Sequence, residues 1–247
     1  MYVLFKKLNI DISRNVLLIQ SITVFVKAAV ADETSISVIR DKGQSNIESQ
    51  MQESETEITR RATHPINPLI LNRWSPRSMT GEELKNEDIM SLFEAARWAP
   101  SSYNNQPWRF IYAKRNTEHW DTLFNLLAEG NKTWARNSAL LVVVISRKNF
   151  EYSEKPARTY QFDAGSAWEN LALEAYSRGI VAHGMQGFDY EKARVDLGIP
   201  NDFEVMAMIA IGKKGAKEIL PPELQEKEKL SDRKPLKDII MEGIYRK

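Results

Sequence analysis

Cysteine is missing from all 247 residues. Disulfides, thiolate-ligated zinc, iron–sulfur clusters and thiol nucleophiles are therefore excluded. Histidine is scarce. The three histidines, His64, His119 and His183, are dispersed, which argues against a histidine-rich metal site. Neither sign of charge is in excess, with 34 Lys and Arg against 33 Asp and Glu. A duplex-binding protein needs a concentrated basic face, so nucleic acid is not an expected partner. The chain also lacks the run of about 20 apolar residues that a membrane-spanning helix needs. It contains neither G-x-G-x-x-G nor GxxxxGK[ST], so a Rossmann dinucleotide site and a P-loop are both unsupported. No internal repeat is visible.

What is present divides at about residue 60. Apolar residues make up 43% of the chain, ample for a globular core. Residues 1–60 read as an N-terminal extension, and residues 61–247 as one folded domain. Within the extension, "VLLIQSITVFV" (16–26) followed by "KAAVADE" has a basic flank, a short apolar stretch and small residues at a cleavage-like position. Gln20 interrupts that run and Lys27 ends it. Three readings stand side by side: a signal or anchor, an upstream addition before a natural start at Met51, or a packed arm. The expected compartment is the cytoplasm, and residues 16–31 leave export or anchoring open. Membrane contact is not expected of the folded domain.

From about residue 80 the pattern is a compact mixture of helices and strands. "TGEE" (80–83) has the form of a capping box, with Ile89, Leu92, Phe93 and Ala96 at helical spacing behind it. "FIYA" (110–113) is a short strand candidate. Trp120, Leu123, Phe124 and Leu127 mark a helix expected to stop at Gly130. "ALLVVVIS" (139–146) is a continuous β-branched run, the signature of a strand buried on both faces. A long helix is expected over 162–178 and a strand over 179–184. Asp189 is expected to cap a short helix ending near Gly198, and 205–212 to form a second buried strand. "KKGAKEILPPELQEKEKL" reads as a charged excursion broken by prolines.

Four stretches carry candidate chemistry. In "NRWSPRS" (72–78), Pro76 excludes a helix interior and pushes Ser75 toward extended geometry. Alternation in an extended segment puts Arg73, Ser75 and Arg77 on one face, and Trp74 and Pro76 on the other. Two guanidinium forks and a hydroxyl suit a phosphate or another planar anion. "APSSYNNQPWRF" (99–110) offers hydroxyl and amide groups in a frame set by two prolines, suited to the polar edge of a heterocycle. In "HGMQGF" (183–188), the glycines let backbone approach a flat ligand. "SDRKPL" (231–236) is a basic pair before a proline.

Taken together and in this order, the four stretches resemble the nitroreductase family of flavin enzymes over roughly residues 64–240. R-x-S-x-R combined with PSSxNxQPW is the most specific part. The resemblance implies an α+β sandwich: a central, mostly antiparallel sheet flanked by helices, in a domain-intertwined homodimer that binds FMN at its interface. It implies FMN phosphate and pyrimidine-edge contacts for the segment of Arg73, Trp74, Ser75 and Arg77. Arg233 would match the family's late phosphate-binding basic residue, with Lys213 or Lys234 assisting. Pro100, Ser101, Ser102, Asn104 and Gln106 would reach the flavin across the dimer interface, and Asn131 would face the pyrimidine edge.

At Gly184, Met185, Gln186 and Gly187 the family commonly has proline in place of Gly184 and an acidic residue in place of Gln186. The useful group at Gln186 would be its backbone N–H, near flavin N5. No catalytic side chain is implied, because the cofactor carries the hydride. NADH or NADPH would deliver hydride to FMN, and a nitroaromatic, quinone or related small-molecule acceptor would then take it in ping-pong order. A specialised relative (a dehalogenase, an enone reductase or a flavin-consuming enzyme) and a non-catalytic FMN-binding module share these motifs.

Overall fold

The structure, a computed structural model, describes residues 60–245. The expectations for residues 1–59, including the run at 16–26 and the start at Met51, lie outside the described residues.

Four antiparallel strands form one sheet in the order β1-β2-β4-β3: β1 Trp108–Lys114, β2 Leu140–Arg147, β3 Ile180–Met185 and β4 Phe203–Lys213. Strand β2 is buried along nearly its whole length, as its unbroken apolar run requires. Its alternating side chains divide the core into two layers. Leu140, Val142 and Val144 face one, and Leu141, Val143 and Ile145 the other.

The first layer is completed by α2 (Asn86–Arg97) and α5 (Tyr160–Ser177). Helix α2 contributes Ile89, Leu92 and Ala96, the spacing of a single apolar stripe. Helix α5 buries Ala164, Ala167, Leu171, Ala172 and Ala175, and these small side chains let it lie close to α2 and the sheet. Asn170 Nδ2 donates to Ala95 O at 3.1 Å and ties the two helices together. The second layer is covered by α3 (Trp120–Phe124), α4 (Glu129–Ala135) and α6 (Tyr190–Asp196), which supply Leu123, Trp134 and Ala193.

A bulge reconciles strand and core. Val144 pairs with Ala207 and Ile145 with Val205, so Met206 is an extra residue in β4. Beyond it the parity of the strand reverses. Val205 and Met208 face the second layer, while Met206 and Ile209 face the first.

Most expected elements are present, with local corrections. The capping box at Thr80 does not start a helix: Thr80 Oγ1 accepts from Glu82 N within a turn, and α2 begins at Asn86 behind Lys85, which makes no side-chain cap. The helix over Trp120 stops at Phe124, and Gly130 lies inside the following helix α4 rather than ending its predecessor. Asp189 caps α6 as expected, its carboxylate accepting from Lys192 N at 2.9 Å, and Gly198 follows the helix at φ +61°. Two short helices flank the site described below, α1 (Pro68–Asn72) and α7 (Pro222–Gln225). No helix among the described residues is long and apolar enough to cross a membrane.

Leu171 is fully buried between α5 and the sheet. Leu171→Ala is expected to cost about 2–5 kcal/mol of unfolding free energy. Val195→Ala, on the solvent face of α6, should stay within about 0.5 kcal/mol. Urea unfolding of both variants checks the assignment of the core.

Candidate anion and cofactor site

Strand β3 is an edge of the sheet, and the arginine segment crosses beside it. Leaving α1, the chain passes through Arg73–Arg77 and then pairs briefly with the end of β4. Thr80 N donates to Lys213 O and Gly215 N to Ser78 O, both at 3.0 Å. Glycine is required at 215, because an added Cβ would lie 2.9 Å from Ser78 Oγ and 3.0 Å from the Met79 backbone. From β3, His183 Nδ1 meets Pro76 O at 3.0 Å, and its ring packs on Trp134 with centroids 4.7 Å apart.

A cavity of about 320 Å³ opens here. Arg60, Arg73, Arg77, Lys227, Lys229 and Arg233 line it, with Trp74, Ser75, His183 and Ser231 between them. The expected grouping of Arg73, Ser75 and Arg77 is present, with Arg73 Nη1 3.4 Å from Ser75 Oγ. Trp74 departs from strict alternation: it also faces the cavity, and only Pro76 turns inward.

Carboxylates are few around these charges. Arg73 Nε lies 3.4 Å from Glu169 Oε1 on α5, without hydrogen-bond geometry, so this buried donor is left unpaired. Arg60 is held by carbonyls alone: Nη1 donates to Leu71 O at 2.9 Å and Arg73 O at 2.7 Å, and Nε to Ser231 O at 2.8 Å. Burial, then the Arg233 and Arg73 charges, lower the Arg60 pKa, and Asp232 offsets part of this. A cavity with crowded cations and an orphaned guanidinium N–H is chemically suited to a multiply charged anion.

The other expected residues are distributed as follows. Arg233 reaches the cavity, whereas Lys213 turns away to Glu82 at 2.6 Å. Lys234 is exposed and does not line the cavity. The side chain of Met185 is buried in the second layer, so only its backbone is available. Gln186 is exposed, and its backbone N–H makes no hydrogen bond among the described residues. Gly187 O accepts from Ala128 N at 3.0 Å and from Asn131 Nδ2 at 2.9 Å, so Asn131 fixes the turn beside Gln186. A Cβ at 187 would sit 2.7 Å from that same Nδ2. At Gly184 a Cβ would press on Trp168 at 3.2 Å. In this chain the glycine makes room for an indole.

The loop with Pro100, Ser101, Ser102, Asn104 and Gln106 does not line the cavity within one chain. It is a sharply curved turn between α2 and β1 that packs against the first turn of α5. Tyr103, Asn104 and Gln106 have φ of 52°, 53° and 47°, a conformation disfavoured for side-chain-bearing residues. Ser101 Oγ accepts from Gln106 N at 3.0 Å, and the buried Asp163 carboxylate accepts from Ser102 N at 3.2 Å. These bonds hold the strain in place.

Sequence reasoning did not single out Arg60, Lys227, Lys229, Glu228 or His183. Arg60 was assigned to the extension. Lys227, Glu228 and Lys229 stand in the charged excursion with no pattern to distinguish them, and His183 opens the glycine-flanked stretch 183–188. Their roles depend on long-range contacts.

Burial, and secondarily the Arg77 charge, lower the His183 pKa below its usual 6.5 despite the opposing bond to Pro76 O. The folded state therefore holds neutral His183 where the unfolded chain would already bind a proton. This contribution to stability is complete above pH ~6.5 and is lost as pH falls toward the depressed folded value. His183→Gln should flatten the acid side of the stability–pH profile, as measured by urea midpoints between pH ~5 and ~8.

Residues 70–133 and 120–213 match the model of the family described as "Nitroreductase family". A solved structure described as an oxidoreductase containing FMN shares 43% identity, with a TM-score of 0.74 over 77% of this chain and 98% of that one. A protein of Archaeoglobus fulgidus, provisionally named NADH dehydrogenase/NAD(P)H nitroreductase, is 30% identical over 148 residues, 58% of this chain and 82% of its own. A nitroreductase family protein from Clostridium difficile 630 shares the fold at 21% identity, with a TM-score of 0.56 over 72% of this chain and 97% of that one.

Proposed function

The chain belongs to the nitroreductase family, and from that premise we propose that it is an FMN-dependent oxidoreductase drawing on NADH or NADPH to reduce a small-molecule acceptor such as a nitroaromatic or quinone. The observation that carries the cofactor is the cationic cavity with its unpaired Arg73 Nε. A phosphate monoester, at about −1.5 to −2 charge near neutrality, suits such a site. The name of the 43%-identical structure supports FMN, and that of the Archaeoglobus relative supports a nicotinamide reductant.

When bound, FMN supplies the hydride chemistry, and the protein supplies position and electrostatics. Arg73, Arg77 and Arg233 bind the phosphate end, and Ser75 adds a hydroxyl. The free N–H of Gln186 offers a hydrogen bond to the ring, its turn held by Asn131 and Gly187. The remaining groups expected at the ring come from the curved loop of Ser101, Ser102, Asn104 and Gln106 in a second copy of the chain. Exposed apolar side chains on one protomer support that assembly: Phe162 on α5, and Ile239, Ile240, Ile244 and Tyr245 near the C-terminus. The domain that performs this function is residues 61–247 together with Arg60, which lines the cavity, and residues 1–50 are dispensable for flavin binding.

Purified protein is expected to carry a yellow flavin and to sediment as a dimer. Arg73→Ala should weaken FMN binding by about ten- to a hundredfold, the loss of one charge-assisted contact. Unchanged affinity, or a monomer that holds FMN tightly, would count against the assignment.

The backbone role of Gln186 predicts a split between two variants. Gln186→Ala keeps the N–H and should retain flavin bleaching by NADH or NADPH under anaerobic conditions. Gln186→Pro lacks it and should bleach more slowly. Equal losses would move the role to the side chain.

A further inference from the structure

The segment after β4 runs back over the arginine segment as a strap, and one buried side chain fastens it. Glu228 is buried, with the residue 8% exposed. It accepts from Arg77 N with both oxygens, at 2.8 and 3.0 Å, and from Ser78 N at 2.8 Å. These are backbone donors of the very segment that presents Arg73 and Arg77. Ser78 Oγ also donates to Ala216 O at the strap's beginning. Lys227 and Lys229, the immediate neighbours of Glu228 on either side, both line the cavity. Four residues further on, Arg233 lines it too, with Nη1 on Ser231 Oγ at 3.2 Å. The strap lies outside the span matched by the family model, which ends at residue 213.

Lys227 and Lys229 make no ion pair among the described residues, and the carboxylate between them is committed to backbone amides. The strap therefore adds two uncompensated cations to a cavity in which burial and neighbouring arginines already lower the pKa of Arg60. Solvation at the exposed lysines reduces repulsion, but surface lysines gain nothing from converging on arginines unless an anion joins them.

We propose that Lys227 and Lys229 are anion ligands of this cavity, and that Glu228 is the positioning residue that brings them there. The ligand class is an organic phosphate or diphosphate. The strap thereby makes the site selective for phosphorylated flavin over its unphosphorylated parent. This rests on the FMN reading given above. Arg60 clamps the same arrangement from the other end through its bonds to Leu71 O, Arg73 O and Ser231 O.

The test compares FMN and riboflavin titrations of the full chain freed of flavin, in the wild type, the double variant Lys227→Ala/Lys229→Ala, the charge-preserving Lys227→Arg/Lys229→Arg, and Glu228→Gln. The double alanine variant is expected to lose FMN affinity about tenfold or more, with riboflavin affinity unchanged and a shallower dependence on salt. The double arginine variant should keep FMN affinity. Glu228→Gln should follow the alanine variant in direction, because a carboxamide accepts with one atom only. FMN affinity within about twofold of wild type in the alanine variant, or equal losses for both flavins, would overturn the proposal while leaving the FMN reading intact. If the wild type binds neither flavin, the FMN reading fails by itself. Thermal stabilisation by inorganic pyrophosphate then decides the lysines: a response in wild type that is lost in the alanine variant upholds the proposal, and equal responses overturn it.

Discussion

Like charge held at close range is the constraint around which this end of the molecule is organised. Guanidinium and ammonium groups converge at the β3 edge, and their repulsion has to be met by neutral or anionic partners. The chain meets it with carbonyl oxygens for Arg60, one carboxylate beside Arg73, and the buried Glu228 on the amides beneath Arg77. None of these neutralises the cavity fully. The arrangement is stable enough to form, yet retains the field that makes an anion welcome. An unpaired buried donor such as Arg73 Nε costs about 1–3 kcal/mol, and occupants that satisfy it recover that cost on binding.

The rest of the fold gives that cluster a rigid floor. β2, buried on both faces, fixes the two layers, and β4 carries the bulge that keeps its side chains in register with both. β3 is then free to be an edge. His183 on this strand meets the arginine segment at Pro76 O, and Gly184 and Gln186 are exposed. An edge strand with unpaired amides is ordinarily a liability for aggregation. Here the crossing arginine segment lies beside it, joined at His183. Exposed apolar side chains elsewhere include Phe162 on α5, Val195 on α6, Trp98 and Tyr103 after α2, and Ile239, Ile240, Ile244 and Tyr245 near the C-terminus.

Much of this was legible in residue order. The unbroken apolar run at 139–146 announced a central strand, and the stripe of Ile89, Leu92 and Ala96 announced α2. Pro76 and its flanking arginines announced a non-helical segment with Arg73, Ser75 and Arg77 brought together, and these three line the cavity. The boundaries that failed were those where a local signal competed with packing. Thr80 has capping chemistry, yet pairing of Met79 and Thr80 with the end of β4 holds it outside the helix. Gly130 has stop chemistry, yet it does not take the positive φ of a helix-ending glycine and lies within the first turn of α4.

What the sequence determined by itself was periodicity and residue chemistry: which segments bury one face or two, where proline forbids a helix, and which side chains can meet a phosphate. These properties act over a few residues, so they are visible in one dimension. Tertiary structure alone decided which charges meet. Arg60 reaches Ser231 across 171 positions, and Glu228 reaches Arg77 across 151. No local pattern distinguishes Lys227 and Lys229 from any other solvated lysines. Their convergence on Arg73 depends on a buried carboxylate finding two backbone amides on a distant segment, a contact that exists only after the sheet has brought β3 and the end of β4 side by side.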